Sequence, residues 1–199
     1  MRILLLLIPA ALLLPGCYSM RLTGAWEAPH PPPRKYQKVF VLGMMPDTAL
    51  RRRMELHVAG DLARRGIQAF TASQDFDPFA FTATEDKDPM QQFRARGYDG
   101  VLTITLLHQF NEGFFLPGSL YYLLCDQYAK DYLRLYAPEF YREAEQYSWE
   151  SNFYDVREGT RVLALQTYSF NPGSLDKMAH QNGKLITRQL FRRNILSRR

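Results

Sequence analysis

The alternation of apolar and polar positions divides the first half of the chain into strands and a helix. Lys38–Met44 is a continuous apolar run rich in β-branched and aromatic residues, which is typical of a strand covered on both faces. Asp47 can begin a helix, and Gly66 can end it. Apolar residues recur at spacing four between these two points, at Leu50, Met54, Val58 and Leu62. A second short strand over residues 67–71 would complete a βαβ unit.

The second half predicts further strands and two helices. A short helix is expected over residues 89–96 and an alternating strand over 101–110. Residues 147–156 and 161–170 indicate a hairpin around the Arg157-Glu158-Gly159 turn. Ser174 begins a final helix with an apolar face formed by Leu175, Met178, Leu185, Ile186 and Leu190. The predicted fold is α/β, a mixed sheet of about five strands in the order β-α-β-α-β-β-β-α.

The start of the chain has the order of a signal peptide. Met1 and Arg2 form a basic start, and residues 3–14 form an apolar run of 12 residues. A helix that crosses a membrane needs about 20 apolar residues, so a permanent transmembrane helix is not expected. The run is followed by Leu14-Pro15-Gly16-Cys17.

These four residues resemble the lipobox of bacterial lipoproteins, although Pro15 departs from the usual small or β-branched residue. The resemblance implies that residues 1–16 are removed and that Cys17 is lipidated. Two or more acyl chains anchor a protein stably to a membrane. Tyr18 stands where an Asp commonly retains such proteins at the inner membrane, so we expect the outer membrane, periplasmic side.

Composition changes this picture only slightly. The full chain has a net charge of +5, and loss of residues 1–16, with Arg2 as their single charged side chain, leaves +4. With this mild charge and an exported location, a nucleic-acid partner is not expected. There are two cysteines, so a lipidated Cys17 leaves Cys125 without an internal disulfide partner.

Two segments lack the pattern of a regular strand or helix within the domain. Residues 17–36 contain Pro29 and Pro31 to Pro33, and we expect a lipidated, Pro-rich tether that holds a domain over residues 37–199 off the bilayer. Residues 111–146 are long for a connection and rich in aromatic rings. Those rings either pack on the sheet or form a contact surface, and the candidates for that surface are Phe114, Phe115, Tyr121, Tyr122, Tyr128, Tyr132 and Tyr136.

No motif points to catalysis, a cofactor or a metal. Glycine-rich phosphate loops, a Gly-x-Ser-x-Gly elbow and a His-Glu-x-x-His pair are all absent from the sequence. No catalytic residue, cofactor or metal ligand is therefore predicted. If the chain were a hydrolase, His108 with Asp99 or Glu112 would be the first group to consider.

Several short segments resemble a family of uncharacterised bacterial lipoproteins with a domain of unknown function. They include Tyr98-Asp99-Gly100-Val101-Leu102 and Glu55 on the first helix, together with the segments Val39-Phe40-Val41-Leu42-Gly43, Gly66-Ile67-Gln68-Ala69, Asn152-Phe153-Tyr154-Asp155-Val156 and Phe170-Asn171-Pro172-Gly173-Ser174. More remotely, the arrangement is similar to the α/β domains of envelope secretion lipoproteins and to the amino-terminal domain of the Tol translocation protein. The resemblance implies a fold but no catalytic role.

These observations favour a non-catalytic accessory lipoprotein of the cell envelope. We expect the membrane as one partner, through Cys17, and an envelope protein as another, with the aromatic segment as the contact region. The alternatives are a lipoprotein that binds a small lipid or glycan between the sheet and the aromatic segment, and a hydrolase.

Overall fold

Six strands form one mixed sheet in the order β1-β6-β5-β4-β2-β3. The strands are β1 (Met20–Glu27), β2 (Lys38–Met44), β3 (Gln68–Thr71), β4 (Gly100–Leu106), β5 (Gln146–Asp155) and β6 (Thr160–Phe170). Strand β2, next to the edge strand β3, pairs in parallel with β3 and β4, and the other pairs are antiparallel. The chain therefore has the predicted α/β class, with one strand more than expected.

Four helices accompany the sheet: α1 (Thr48–Ala63), α2 (Ala72–Asp75), α3 (Met90–Ala95) and α4 (Leu175–Arg192). The computed structural model describes residues 20–33, 35–45, 47–75, 90–107, 146–170 and 174–197. Both long helices begin at the predicted caps. Asp47 accepts hydrogen bonds from the amides of Ala49 and Leu50, and Ser174 accepts one from Lys177.

Helices α1 and α4 cover one face of the sheet and enclose the main core. Apolar side chains from both helices and from all the long central strands are fully buried there, among them Met54, Val58, Leu62, Val41, Ile104, Trp149, Phe153, Leu165, Met178, Ile186 and Leu190. The helices approach closely at Gly183, where a Cβ atom would lie 3.2 Å from Val58 Cγ2. Leu175, which was expected on the apolar face of α4, is instead 36% exposed because it precedes the buried part of the helix.

A smaller core lies on the opposite face. Helix α3 contributes Met90 and Phe93, which cluster with apolar side chains of β2, β4 and β5. Rings dominate this cluster, since Phe40 lies 5.2 Å from Phe93 and 5.3 Å from Tyr98 between centroids. The expected alternation along β4 is confirmed for the described residues, because Leu102 and Ile104 belong to the main core and Val101 to this second one.

Strand β1 differs from the expected tether over residues 17–36. Met20–Glu27 pairs with β6 from Met20 opposite Ser169 to Glu27 opposite Leu163. Met20 is buried and Leu22 is half-buried against the main core, while Arg21 between them is exposed. The described residues between β1 and β2, which are 28–33 and 35–37, have no regular structure, and the two strands that they connect lie on opposite sides of β6, β5 and β4. The prolines therefore belong to a connection within the domain.

The strand directions give the sheet two distinct ends. We call upper the end that carries Met20, Met44, Leu106 and Ser169, and lower the end that carries Glu27, Lys38, Gly100, Asp155 and Thr160. At about 3.3 Å per residue, the seven residues of β2 alone separate these ends by about 20 Å.

Glu55 joins three elements beneath the upper end. Its side chain is fully buried on α1, and it accepts hydrogen bonds from the amide of Gly43 at 2.8 Å and from the amide and hydroxyl of Ser73. Burial raises the pKa of Glu55 above its ordinary value of 4.5, an effect that these hydrogen bonds and the positive charge of Arg51 partly offset. Glu55 therefore ties α1 to β2 and to the start of α2.

We expect Glu55→Gln to change both the stability and its pH dependence. The raised pKa of Glu55 means that the folded state holds the proton more tightly. That stabilisation is fully present below pH 4.5 and is lost as the pH rises through the folded-state pKa. Gln cannot titrate, so this decline should be absent from the variant. At neutral pH its single oxygen leaves one buried amide without an acceptor, which costs about 1–3 kcal/mol.

Denaturant unfolding from acidic to neutral pH measures both effects, with Glu158→Gln, a change at an exposed carboxylate, as the control. A pH profile unchanged by Glu55→Gln would contradict this role of Glu55.

Candidate functional site

A cleft of about 390 Å³ opens at the lower end of the sheet. Its lining comes from four separate segments: the connection before β2, helix α3, the turn before β4, and the β5–β6 turn. The lining residues are Lys35, Tyr36, Arg94, Tyr98, Asp99 and Arg157. The volume is within the range of pockets that bind small ligands.

Asp99 holds the connection against the sheet. Its Oδ2 accepts a hydrogen bond from the amide of Gln37 at 2.7 Å, and its Oδ1 accepts one from Lys38 at 3.0 Å. Desolvation raises the pKa of Asp99, and the charge of Asp155 acts in the same direction, while the backbone hydrogen bonds lower it. Both oxygens of Asp99 therefore stabilise the backbone.

Asp155 has a similar role below β5. It is fully buried, its Oδ2 accepts a hydrogen bond from the Tyr36 hydroxyl at 3.0 Å, and its Oδ1 accepts one from the amide of Glu158 at 2.8 Å. The turn that follows closes at Gly159, whose φ of 68° is accessible to glycine at little cost. Asp155 thus fixes both the hairpin turn and one wall of the cleft.

Two tyrosines form the inner walls of the cleft, and both are nearly buried. The Tyr36 ring meets Phe153 edge to face at 4.9 Å, and Phe153 in turn lies against Gly100, where a Cβ atom would be 2.5 Å from the ring. Tyr98 packs on the ring cluster of the second core, and Lys38 Nζ lies 4.7 Å above its ring. These contacts hold both rings in place.

The basic residues lie at the mouth of the cleft. Lys35, Arg94 and Arg157 are exposed, and Arg94 Nε donates a hydrogen bond to the Val156 carbonyl at 2.8 Å. Within the described residues, neither Lys35 nor Arg157 forms an ion pair with a carboxylate. Three basic side chains and one carboxylate line the cleft, so its charge balance is positive.

A second polar group lies on the sheet face away from α1 and α4. Glu150 and Asn152 on β5 are buried, and Asn152 Nδ2 donates to Glu150 Oε1 at 3.1 Å. Thr103 and Thr105 on β4 are buried opposite them. The alternation of β5 could have identified this pair, because its apolar partners Trp149 and Phe153 point to the main core.

The residues predicted as a site lie outside the described part of the chain. They are Cys17 and the candidate contact residues Phe114, Phe115, Tyr121, Tyr122, Tyr128, Tyr132 and Tyr136, and the same is true of His108 and Glu112. Of the hydrolase group, the described member is Asp99, which binds backbone amides at the lower end, before β4. The described residues contain no group of three or more His, Cys, Asp or Glu side chains arranged to hold a metal ion. Nor is any helix among them long and apolar enough to cross a membrane.

Comparisons with known proteins add little to this geometry. No protein-family model matches the sequence, and no curated protein matches it either. Two solved structures of a PelC dodecamer from Paraburkholderia phytofirmans share 14% sequence identity with the chain. One covers 86% of this chain and 95% of its own with a TM-score of 0.42, and the other covers 90% and 98% with a TM-score of 0.43. A likeness at this level says nothing about the function of the present chain, and the resemblance to uncharacterised lipoproteins stays a prediction.

We expect the cleft wall to depend on the hydrogen bonds of Asp155 more than on its charge. Asp155→Ala removes the hydrogen bonds that the buried Tyr36 hydroxyl and the Glu158 amide donate to this carboxylate, which should cost about 1–3 kcal/mol. Asp155→Asn should retain most of the stability, because its oxygen can accept from Glu158 while its amide donates to the Tyr36 oxygen. Chemical denaturation of the two variants provides the comparison, and an equal loss in both would show that charge is the dominant contribution.

Proposed function

We propose that the chain is a lipid-anchored lipoprotein of the bacterial outer membrane, periplasmic side, with a non-catalytic binding role in the cell envelope. The observation that carries this proposal is the basic start, the apolar run and the Leu14-Pro15-Gly16-Cys17 motif that follows. The described fold is compatible with it, because the first strand begins at Met20 and cleavage before Cys17 would leave every described strand intact.

A binding role is favoured over catalysis by the way the cleft uses its acids. Asp99 accepts two backbone amides, and Asp155 accepts a tyrosine hydroxyl and a turn amide. A general acid or base needs an oxygen directed at the substrate. The oxygens of Asp99, which lines the cleft, and of the neighbouring Asp155 thus accept hydrogen bonds from the protein itself, whereas the basic side chains of Lys35 and Arg157 are exposed.

The anchor would lie at the upper end of the sheet. Cys17 precedes Met20 by three residues, which can span about 11 Å at most. Met20 pairs with Ser169 at the upper end, so the bilayer would lie within that distance of the same end. The domain would then sit directly on the membrane, without the long tether expected from residues 17–36.

The proposed contact with an envelope protein involves the same end. The chain leaves the sheet after Leu107 and returns at Gln146, and the Leu107 amide donates to the Ser148 carbonyl at 2.8 Å. The residues on either side of the aromatic segment are thus adjacent at the upper end. A partner bound by that segment would be an envelope protein close to the anchoring membrane.

Cys17→Ser should abolish membrane attachment. Without the thiol, no thioether-linked lipid can form, so the variant should leave the membrane fraction and lack any acyl mass. Cell fractionation, together with intact-mass analysis of protein from the native host, measures both. Cys125→Ser provides the matched control and should remain lipidated and membrane-bound. Unchanged attachment of Cys17→Ser would overturn the proposed anchor.

Deletion of residues 114–141 should remove the partner while leaving the domain folded. Because Leu107 pairs with Ser148, two residues after the start of β5 at Gln146, a shorter connection can join β4 and β5 without moving either strand. In-cell crosslinking and co-purification from detergent-solubilised membranes report the partner, and thermal unfolding reports the fold. Loss of cooperative unfolding would place the aromatic rings in the core and contradict the contact-surface hypothesis.

A further inference from the structure

The cleft combines three features that are independent of the anchor. It has a volume of about 390 Å³, walls formed by two tyrosines whose rings are held by other rings, and a mouth with more positive than negative side chains. Its single lining carboxylate, Asp99, is engaged by two backbone amides. The cleft therefore offers a ligand the exposed basic side chains of Lys35 and Arg157, neither of which forms an ion pair with a described carboxylate.

We propose that this cleft binds the anionic group, a phosphate or a carboxylate, of a small water-soluble molecule. Guanidinium groups recognise both groups through paired N–H donors, and an ammonium group adds a point charge. Arg157 is on the β5–β6 turn and Lys35 is on the connection before β2, so the two approach the cleft from separate segments. Arg94 is oriented by its bond to the Val156 carbonyl.

The anionic group could belong to a phospholipid headgroup or to a molecule in the aqueous phase, and the position of the cleft decides between these two sources. The cleft is at the lower end of the sheet, whereas Cys17 would emerge at the upper end, about 20 Å away along β2. This step rests on the proposed function, because it assumes a lipid on Cys17. With the domain standing on its anchor, phospholipid headgroups of the anchoring leaflet do not reach the cleft, so the anionic group comes from the aqueous phase.

Binding is tested with full-length protein in a neutral detergent at constant ionic strength. The probes are inorganic phosphate and sodium glucuronate, and glucose is the uncharged match for glucuronate. Calorimetric titration and the rise in unfolding temperature with probe concentration provide two measures of the dissociation constant. We expect saturable binding of phosphate, glucuronate or both, and none of glucose. Absence of saturable binding for both anions, or equal binding of glucose and glucuronate, would overturn the proposal.

The double variant Lys35→Glu and Arg157→Glu tests whether the anion binds in the cleft. Both side chains are exposed, so the fold should be retained, and the loss of two charge-assisted contacts should weaken binding about tenfold or more. The matched control is Arg53→Glu with Lys177→Glu, which has the same change in net charge at exposed positions on α1 and α4. Equal weakening in both double variants would indicate a general charge effect and overturn the assignment to the cleft.

A third arm separates the aqueous ligand from a lipid headgroup. Cys17→Ser protein is mixed with vesicles of phosphatidylethanolamine and phosphatidylglycerol, with and without the cleft substitutions. We expect any vesicle binding to be the same for the protein with the cleft substitutions and the protein without them. If the cleft substitutions abolish it, the ligand is a lipid headgroup and the aqueous source is wrong. Since the phosphate and glucuronate titrations do not depend on lipidation, failure of the anchor and failure of the anion site give different results.

Discussion

The pairing of β1 with β6 is the contact on which the organisation of the molecule depends. It extends the sheet by a strand that starts only three residues after Cys17 in the sequence, and it places the start of that strand, Met20, at the upper end. The same pairing places Glu27 near the lower end, so residues 28–37 must cross beneath β6, β5 and β4 to reach β2. The crossing connection brings Lys35 and Tyr36 to the cleft. One antiparallel pair therefore separates an upper end near the predicted anchor from a lower end with the cleft.

The regular elements were predictable where local pattern and tertiary packing agree. Strand β2 has the predicted bounds. Helix α1 starts directly after its predicted cap, Asp47, and its apolar residues at spacing four are buried. Strand β1 was missed because the nearby prolines suggested a spacer, although Met20 and Leu22 alternate with polar residues as a one-sided strand requires. The prolines of residues 28–33 are typical of a spacer, whereas the alternation in the eight residues before them is the pattern that identifies the strand.

The cleft could not be predicted from the sequence, because its residues come from segments far apart in the chain. Lys35, Arg94 and Arg157 have no common spacing, and each is by itself an ordinary exposed basic residue. The signal closest to the site is Tyr98-Asp99-Gly100, which lies in one of the segments that carry the family resemblance. Nothing in the sequence indicates that Asp99 reaches back to the amides of Gln37 and Lys38, since that contact depends on the register of β2 against β4.

The structural use of the acids also explains the charge of the cleft. Backbone amides at the end of the crossing connection and in the β5–β6 turn need hydrogen-bond acceptors. Asp99 accepts from the amides of Gln37 and Lys38, and Asp155 accepts from the Glu158 amide and from the Tyr36 hydroxyl. The carboxylates are thereby drawn inward while the basic side chains stay at the mouth. A substitution that removes the charge of Asp99 would also remove its hydrogen bonds to the backbone. The charges of Lys35 and Arg157 can be changed without disturbing the fold, because no described contact of the fold depends on those two side chains.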